Sequence, residues 1–539
     1  MRKLMVKGRY LSFDDGSPFF YLGDTAWEIF HRLTREEMAH YFETRARQGF
    51  TVVQGVALAE FEGVTVPNAH GRLPLHCTNG LPDPEKPDTD GDYSYWAHVD
   101  YAIDEAAKHG LYMALLPTWG DKFNQLWGQG PVIFTPENAY TYGKWIGSRY
   151  AEKENILWML GGDRVLEETH RRIIDQMARG IRETDKNHLI TFHPAGASTS
   201  VDALGNASYI DFHTAQTGHD VSQCWETDSV MLHMAEKTDK PYMDAEPRYE
   251  GHPACFDPAI GYFWQARDVR QNLYWNLFSG ACGHTYGNHC IWSMNKTPSE
   301  YFPFCWQDAL FHEGAGQMQH GKNLRLKRDY FSFRPAPELL PENLSGMGHM
   351  TAGRGQGYAY VYSPLGVPFT VCLASFAPQK GIRAAWFDPR TGEETVFAVL
   401  PARGSSLFCP PVQGQDWVLV PVPVTQGKLY SRGYNQAGEL ARQLARLRRL
   451  RVMELLERRD TGVLSQTHLT ATARRLNAMR AYHCRRPVFW ERHRRYPSHM
   501  VLVDDVFTTG STARACATQL RKLPGVKEVA VLCLVRIGT

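Results

Sequence analysis

The feature that most constrains this chain is a rhythm repeated eight times in its first 290 or so residues: a short apolar run ending in polar residues, then a stretch with helical spacing. The runs are FFYLGD, FTVVQGVAL, LYMALLPTW, NILWMLGGD, HLITFHP, YIDFHTA, KPYMDAEP and GHTYGNH. Parallel strands cannot be joined by a tight turn and need a crossover, usually a helix. Eight strand–helix units therefore predict an α/β fold, a (β/α)8 TIM barrel over residues 1–330. An open doubly wound sheet is the alternative. It would usually carry a glycine-rich first turn, and YLGDTAW is not one.

The segments between the strands read as amphipathic helices. One starts at Thr34, where T-R-E-E forms a capping box with Glu37. Its apolar residues Met38, Tyr41, Phe42 and Ala46 share a face, and Gly49 closes it. Another places Trp96, Val99, Ile103 and Ala106 together and stops at Gly110. The stretch PAIGYFWQARDVRQNLYWNLFSG reads as one late, long helix. From about residue 331 the helical spacing disappears. Alternating runs such as YAYVYSP, FTVCLAS and IRAAWFDPRTGEETVF, broken by Gly and Pro, predict an antiparallel β-sandwich over 331–420.

Charge divides the chain again. The whole sequence carries a formal +2, but residues 421–539 hold 22 Lys+Arg against 8 Asp+Glu, and 19 of those 22 are Arg. A third domain of different character is expected there. Guanidinium groups suit phosphate or nucleic acid, and an Arg-biased helix face is the plainer alternative. Nucleic acid is not an expected partner. The 11 cysteines are odd in number and form no C-x-x-C pair, which argues against a disulfide framework or a structural zinc site. MRKLMVKGRYLSF has no apolar core of a secretory signal, and no window has eighteen uninterrupted apolar residues. A cytoplasmic protein with no membrane partner is expected. Oligomeric state is not legible.

In a barrel, polar residues at the C-terminal strand ends line the active site. Here these are Asp24 and Trp27 after the first strand, Gln54 on the second, and Trp119 and Asp121 after the third. Asp163 and Arg164 end the fourth, His193 the fifth, His213 and Gln216 the sixth, and Asp244, Glu246 and Arg248 lie at the seventh. His284, Tyr286, Asn288, His289 and Trp292 lie on or after the eighth. Asp163 and Glu246, on strands facing each other across a barrel, form the carboxyl pair that glycosidic bond cleavage needs. Trp27, Trp119 and Trp292 could wall a sugar site. The plainer readings are a helix cap for Asp163, a pair with Arg248 for Glu246, and core packing for the histidines and tryptophans. No metal site is expected in the barrel.

YLGDTAWEIFHRL, ILWMLGGDR, KPYMDAEPRYE and WFDPRTGE resemble the apiosidase-like glycoside hydrolases (family 140) and their following β domain, over about residues 1–420. The resemblance implies Asp163 as acid/base and Glu246 as nucleophile, with no cofactor. The implied substrate is an apiose-type linkage in pectin oligosaccharides.

At the other end, VLVDDVFTTGST places two acids at the end of an apolar strand, then a hydroxyl-rich glycine turn and a helix. Backbone N–H groups at a helix start can hold a phosphate. Thr508, Thr509, Gly510, Ser511 and Thr512 would line it. Asp504 and Asp505 would take ribose hydroxyls and Mg²⁺. With VPVPV, SRGYNQAGELARQLA and ERRDTG…RRLN, this resembles the ComF-like branch of type I phosphoribosyltransferases, over about 418–539. Strands are expected near 418–423, 453–458, 500–506 and 528–535. The segment is short for a transferase, and no hood for an acceptor is visible, so weak binding of phosphoribosyl pyrophosphate and little transfer are expected. DWVLV serves equally as the last strand of the β domain and the first of this one. The leading expectation is a glycoside hydrolase bearing a partial phosphoribosyltransferase-like segment. A working phosphoribosyltransferase and a non-catalytic carbohydrate-binding protein are the alternatives.

Overall fold

The computed structural model describes residues 1–539 except 206, 221–225, 261, 375, 377–380, 402, 412–416, 426–433, 449–450, 459–480, 486–498, 508–509, 524, 527 and 537–539. The chain divides into two compact units, Met1–Pro364 with Phe369–Phe408, and Leu365–Pro368 with Cys409–Thr539.

The first unit opens with a hairpin (Leu4–Lys7, Tyr10–Phe13) and then settles into eight strands. These are β1 (Tyr21–Thr25), β2 (Val52–Val56), β3 (Tyr112–Leu116), β4 (Ile156–Gly161), β5 (Ile190–His193), β6 (His213–Gln216), β7 (Tyr242–Asp244) and β8 (Gly283–Tyr286). The helices after them are α1 (Arg35–Arg47), α2 (Tyr95–Lys108), α3 (Pro136–Tyr150), α4 (Glu168–Thr184), α5 (Ser200–Leu204), α6 (Asp228–Lys237), α7 (Ala266–Phe278) and α8 (Glu313–Leu326). α1 begins with the expected capping box of Thr34 and Glu37. The late stretch, read as one helix from residue 258, is instead a 3₁₀ turn (Pro258–Ile260) followed by α7.

Six strands form one parallel sheet in the order β5-β4-β3-β2-β1-β8, so the first strand pairs with the last. β6 and β7 pair in parallel in a separate sheet, whose third strand, Ser198–Thr199, runs antiparallel to β6. Single backbone bonds cross the two seams: Asp211 N to Ile190 O and Cys282 N to Tyr242 O, each 2.8 Å. At the β5–β6 seam side chains replace part of the ladder. Ile190 N donates to the Asp211 carboxylate at 2.7 Å, and Thr191 Oγ1 to Phe212 O at 2.7 Å. The core between strands and helices is continuous, from Leu11 and Tyr21 to Met318 and Phe333.

The β domain follows as antiparallel pairs. β9 (Thr351–Gly355) lies between Arg334–Pro335 and β10 (Tyr358–Tyr362), β11 (Phe369–Cys372) pairs β14 (Ser405–Phe408), and β12 (Ile382–Phe387) pairs β13 (Glu394–Leu400). Where a two-sheet sandwich was expected, three small sheets surround one cluster that includes Leu339, Met350, Phe369 and Val371. The domain seats on α7 through stacked rings, Tyr274 on Tyr362 at 5.0 Å and Phe278 on Tyr360 at 5.4 Å.

In the second unit β15 (Trp417–Pro421) lies between β16 (Arg451–Val452) and β19 (His499–Phe507), and β20 (Glu528–Arg536) lies beyond β19, all parallel. α9 (Gln436–Arg448) and α10 (Ser511–Leu520) belong to the same unit. A small antiparallel pair, β17 (Leu456–Arg458) with β18 (Tyr482–Cys484), completes it. From the contested run, Trp417–Pro421 is thus a central strand here and pairs with no strand of the β domain. Val420 and Val422 are buried, as residues of parallel strands commonly are.

Candidate active site

Asp163 follows β4 and Glu246 follows β7, and the Glu246 charge acts on the Asp163 carboxyl. Two glycines bring Asp163 there. Gly161 and Gly162 have φ of +94° and +121°. A Cβ on Gly161 would sit 2.3 Å from His193 O, and one on Gly162 2.7 Å from Gly120 N. Only glycine permits this crossing between β3, β4 and β5. Asp163 itself is left-handed, φ +51°, and its Oδ1 accepts from Gly196 N at 3.1 Å. Strain of this kind in a non-glycine residue is typical of functional sites.

Glu246 follows β7 by two residues. The chain turns there because Asp244 Oδ1 accepts from the N–H groups of Glu246 and Thr217, each at 3.3 Å. Asp244 is fastened from behind by Thr217 Oγ1 (2.6 Å) and Asn276 Nδ2 (3.1 Å), and burial pushes its carboxyl up to about 6. His193 Nε2 lies 3.0 Å from Glu246 Oε2, an ion-pair contact off hydrogen-bond angle, and His219 Nε2 lies 3.2 Å from Oε1. The other ring nitrogen of His193 faces Pro194 O at 3.1 Å.

These surroundings drive the two carboxyls apart. Burial raises Asp163, the Glu246 charge adds to it, and the group reaches about 6 against the pull of His193 and Arg164. Burial would raise Glu246 too, but His193 and His219 outweigh it and hold it at about 2. The two carboxyls are thus shifted in opposite directions, Asp163 up and Glu246 down.

Of the other sequence candidates, Trp27, Trp119 and Gln216 lie around this pair. Trp27 and Trp119 pack on each other (5.3 Å) and on His193 (5.4 and 5.6 Å), and both are almost wholly covered. Gln216 lies against Gly196, and its Oε1 is buried without a partner among the described residues. Trp292, half-buried, stacks on Phe61 at 5.6 Å. Gln54 sits deeper, taking bonds from Tyr21 (2.9 Å) and Thr285 (3.2 Å). Arg248 lies over the Trp264 ring at 4.9 Å.

Others sit elsewhere. Asp24 points toward α1, where Arg45 Nε donates to it at 2.6 Å and Tyr41 donates as well. Tyr286 donates to Glu250 at 2.6 Å, and Asn288 caps the short helix His289–Trp292. His213 meets Ser200 Oγ at 3.0 Å, and burial pushes it down to about 4. His284 is buried and is likewise pushed down, to about 3. Asp121 and Arg164 grip the loop after β3, as set out below.

Three site residues escaped the sequence reading. His219 lies in a segment without regular structure, stacked on His252 at 4.1 Å. Tyr249 accepts from Trp27 Nε1 at 3.1 Å, and burial followed by the Glu246 charge raises its hydroxyl. Glu60, after β2, is raised to about 8 by burial together with the charges of Asp121, Glu28 and Asp163. Tyr249 lies within KPYMDAEPRYE, three residues after Glu246, and that proximity was the available signal for it; nothing in the sequence singled out His219 or Glu60.

In the second unit Asp504 ends the buried part of β19, and Gly510 (φ +68°) starts α10, whose first residues are Ser511 and Thr512. Thr508 and Thr509 lie outside the described residues. Burial raises Asp504 to about 6, and adjoining Asp505 adds to the rise, while its N–H donates back at 3.0 Å.

Comparison with known proteins agrees with the geometry of the first unit. The "Apiosidase-like, catalytic domain" family model matches residues 6–332, and "Putative collagen-binding domain of a collagenase" matches 335–421. A glycoside hydrolase family 5 structure from Bacteroides vulgatus is 30% identical, covering 76% of this chain and 91% of its own, with a TM-score of 0.69. A second structure, described as a glycoside hydrolase, is 31% identical over 77% of this chain and 94% of its own, TM-score 0.69. Competence protein F of Haemophilus influenzae is 36% identical over 118 residues, 22% of this chain and 49% of that protein. The chain spans about half the length of the curated relatives it matches. Hydrolases of this kind act on carbohydrate and need no cofactor. None of the described helices is long and apolar enough to cross a membrane. With a split carboxyl pair at its strand ends and a family match over more than half its length, the chain belongs to the apiosidase-like glycoside hydrolases.

Proposed function

We propose that residues 1–330 close as a (β/α)8 barrel that hydrolyses an apiose-type linkage in pectin oligosaccharides with retention, Asp163 as acid/base and Glu246 as nucleophile. The opposed titration of the two carboxyls carries this reading. Protonated Asp163 gives its proton to the leaving oxygen while ionised Glu246 attacks the anomeric carbon. Water, activated by the Asp163 carboxylate, then releases the sugar from Glu246. Gln at position 246 keeps the shape and removes the nucleophile. We expect Glu246→Gln to fold normally, by circular dichroism, and to release no sugar from apiose-containing pectin fragments that the parent cleaves. A well-folded, active Gln variant would refute the assignment.

A second reading concerns residues 421–539, taken as a domain apart from the β domain at 331–420. β19, with Asp504 and Asp505 in its second half, and α10, which begins at Ser511 after Gly510, favour a phosphoribosyl pyrophosphate site. The 118-residue likeness to competence protein F supports it. Ligand bound to the native state stabilises by mass action. The melting temperature of the full chain should therefore rise with phosphoribosyl pyrophosphate and Mg²⁺, and Asp504→Asn with Asp505→Asn should abolish the rise. No shift in the parent removes this reading.

A further inference from the structure

The loop after β3 holds an exposed apolar surface beside Asp163. Trp127 is 64% exposed, Leu126 56%, Val132 46% and Val165 60%. Asn124 Nδ2 donates to Val165 O at 3.1 Å, tying the loop to the residues that follow Asp163. Large apolar side chains left exposed together on one loop and the segment bonded to it suit a binding site, and tryptophan is prominent among residues that anchor ligands.

Buried charge fixes the loop from beneath. Arg164 donates from Nε to Asn124 O (2.9 Å) and from Nη1 to Asp163 O (2.8 Å), and its guanidinium lies 4.5 Å from the Trp127 ring. Lys122 Nζ bridges Asp121 (2.8 Å) and Gly130 O (3.0 Å), while Gly130 N donates to Asp121 at 3.0 Å. Asp121, Lys122 and Arg164 are almost completely buried. Burying three charges is costly unless each is matched; here Lys122 and Asp121 pair with each other, and backbone groups of the loop and of Asp163 take the remaining bonds. The tip therefore stands in a set position, with Trp127 joined to Asp163 through a single guanidinium.

We propose that Trp127, flanked by Leu126 and Val165, is the platform on which the sugar ring of the leaving group stacks. The side of the bond follows from the chemistry. An acid must reach the leaving oxygen, and Trp127 is on the acid's side of the pair, whereas His193, His219 and Tyr249 attend Glu246. The ligand is a pyranose of the pectic chain, lying with its C–H face on the indole. This inference rests on Asp163 as the acid.

The test compares the parent, Trp127→Ala and Trp127→Phe on two substrates: an apiose-containing pectin fragment, and apiosyl fluoride, whose leaving group fills no sugar subsite and needs no proton. Trp127→Ala should lower kcat/KM on the fragment by roughly 10- to 100-fold, the scale of truncating an aromatic anchor. It should leave the fluoride within about twofold, and Trp127→Phe should recover most of the loss. An equal loss on both substrates, or none on either, overturns the platform. A parent that hydrolyses the fluoride but not the fragment overturns the choice of leaving group. A parent that hydrolyses neither overturns the apiosidase reading, and the platform with it.

Discussion

The separation of the two carboxyls makes a sharp prediction for pH. The reactive form has Asp163 protonated and Glu246 ionised. With Asp163 at about 6 and Glu246 at about 2, that form is about nine-tenths of the enzyme at about pH 5 and about one-tenth at about pH 7. With the ordinary values of 3.8 and 4.5 it would be only about one-twentieth at about pH 5. The sign is fixed by the roles. Activity falls on the alkaline side as the acid loses its proton, and on the acid side only when the nucleophile gains one. We therefore expect kcat/KM on apiose-containing pectin fragments to drop about tenfold between about pH 5 and about pH 7 at constant ionic strength. Replacing His219 by Gln removes one of the two groups that hold Glu246 down, so the acid limb should move to higher pH while the alkaline limb stays. A flat profile between these pH values, or an optimum above about 7, would refute the assignment of Asp163 as the acid.

Two further outcomes test the scaffold. Gly162→Ala places a Cβ 2.7 Å from a backbone nitrogen at a φ of +121°, and should destabilise the fold by roughly 2–4 kcal/mol, read as a lowered denaturation midpoint; an unchanged midpoint would contradict the crossing described. Asp24→Asn breaks a fully buried pair with Arg45 and should cost about 3–5 kcal/mol in denaturant unfolding while the folded protein keeps its kcat/KM; lost activity without lost stability would return Asp24 to the site.

Much of the architecture was legible because it is local. Hydrophobic period, capping boxes and glycine stops lie within a few residues of one another, so the eight strand–helix units and α1 follow from the sequence. The carboxyl pair was legible because strand ends are where a barrel gathers chemistry. The direction of each side chain was not. Successive strand residues face opposite sides, so Tyr21 reaches Gln54 while Asp24, three residues on, reaches Arg45 on α1. Glu246 escapes its strand's alternation only because Asp244 caps a turn, and His219 meets it from a loop far away in sequence. The run DWVLV had two equally good partners by pattern, and pairing with 499–503 gave it a central parallel strand. The sequence by itself determined which segments are strands and helices and which ends carry acids. Only the tertiary structure decided which acids influence one another, because burial, charge and long-range pairing come from residues that are distant along the chain and meet only when it folds.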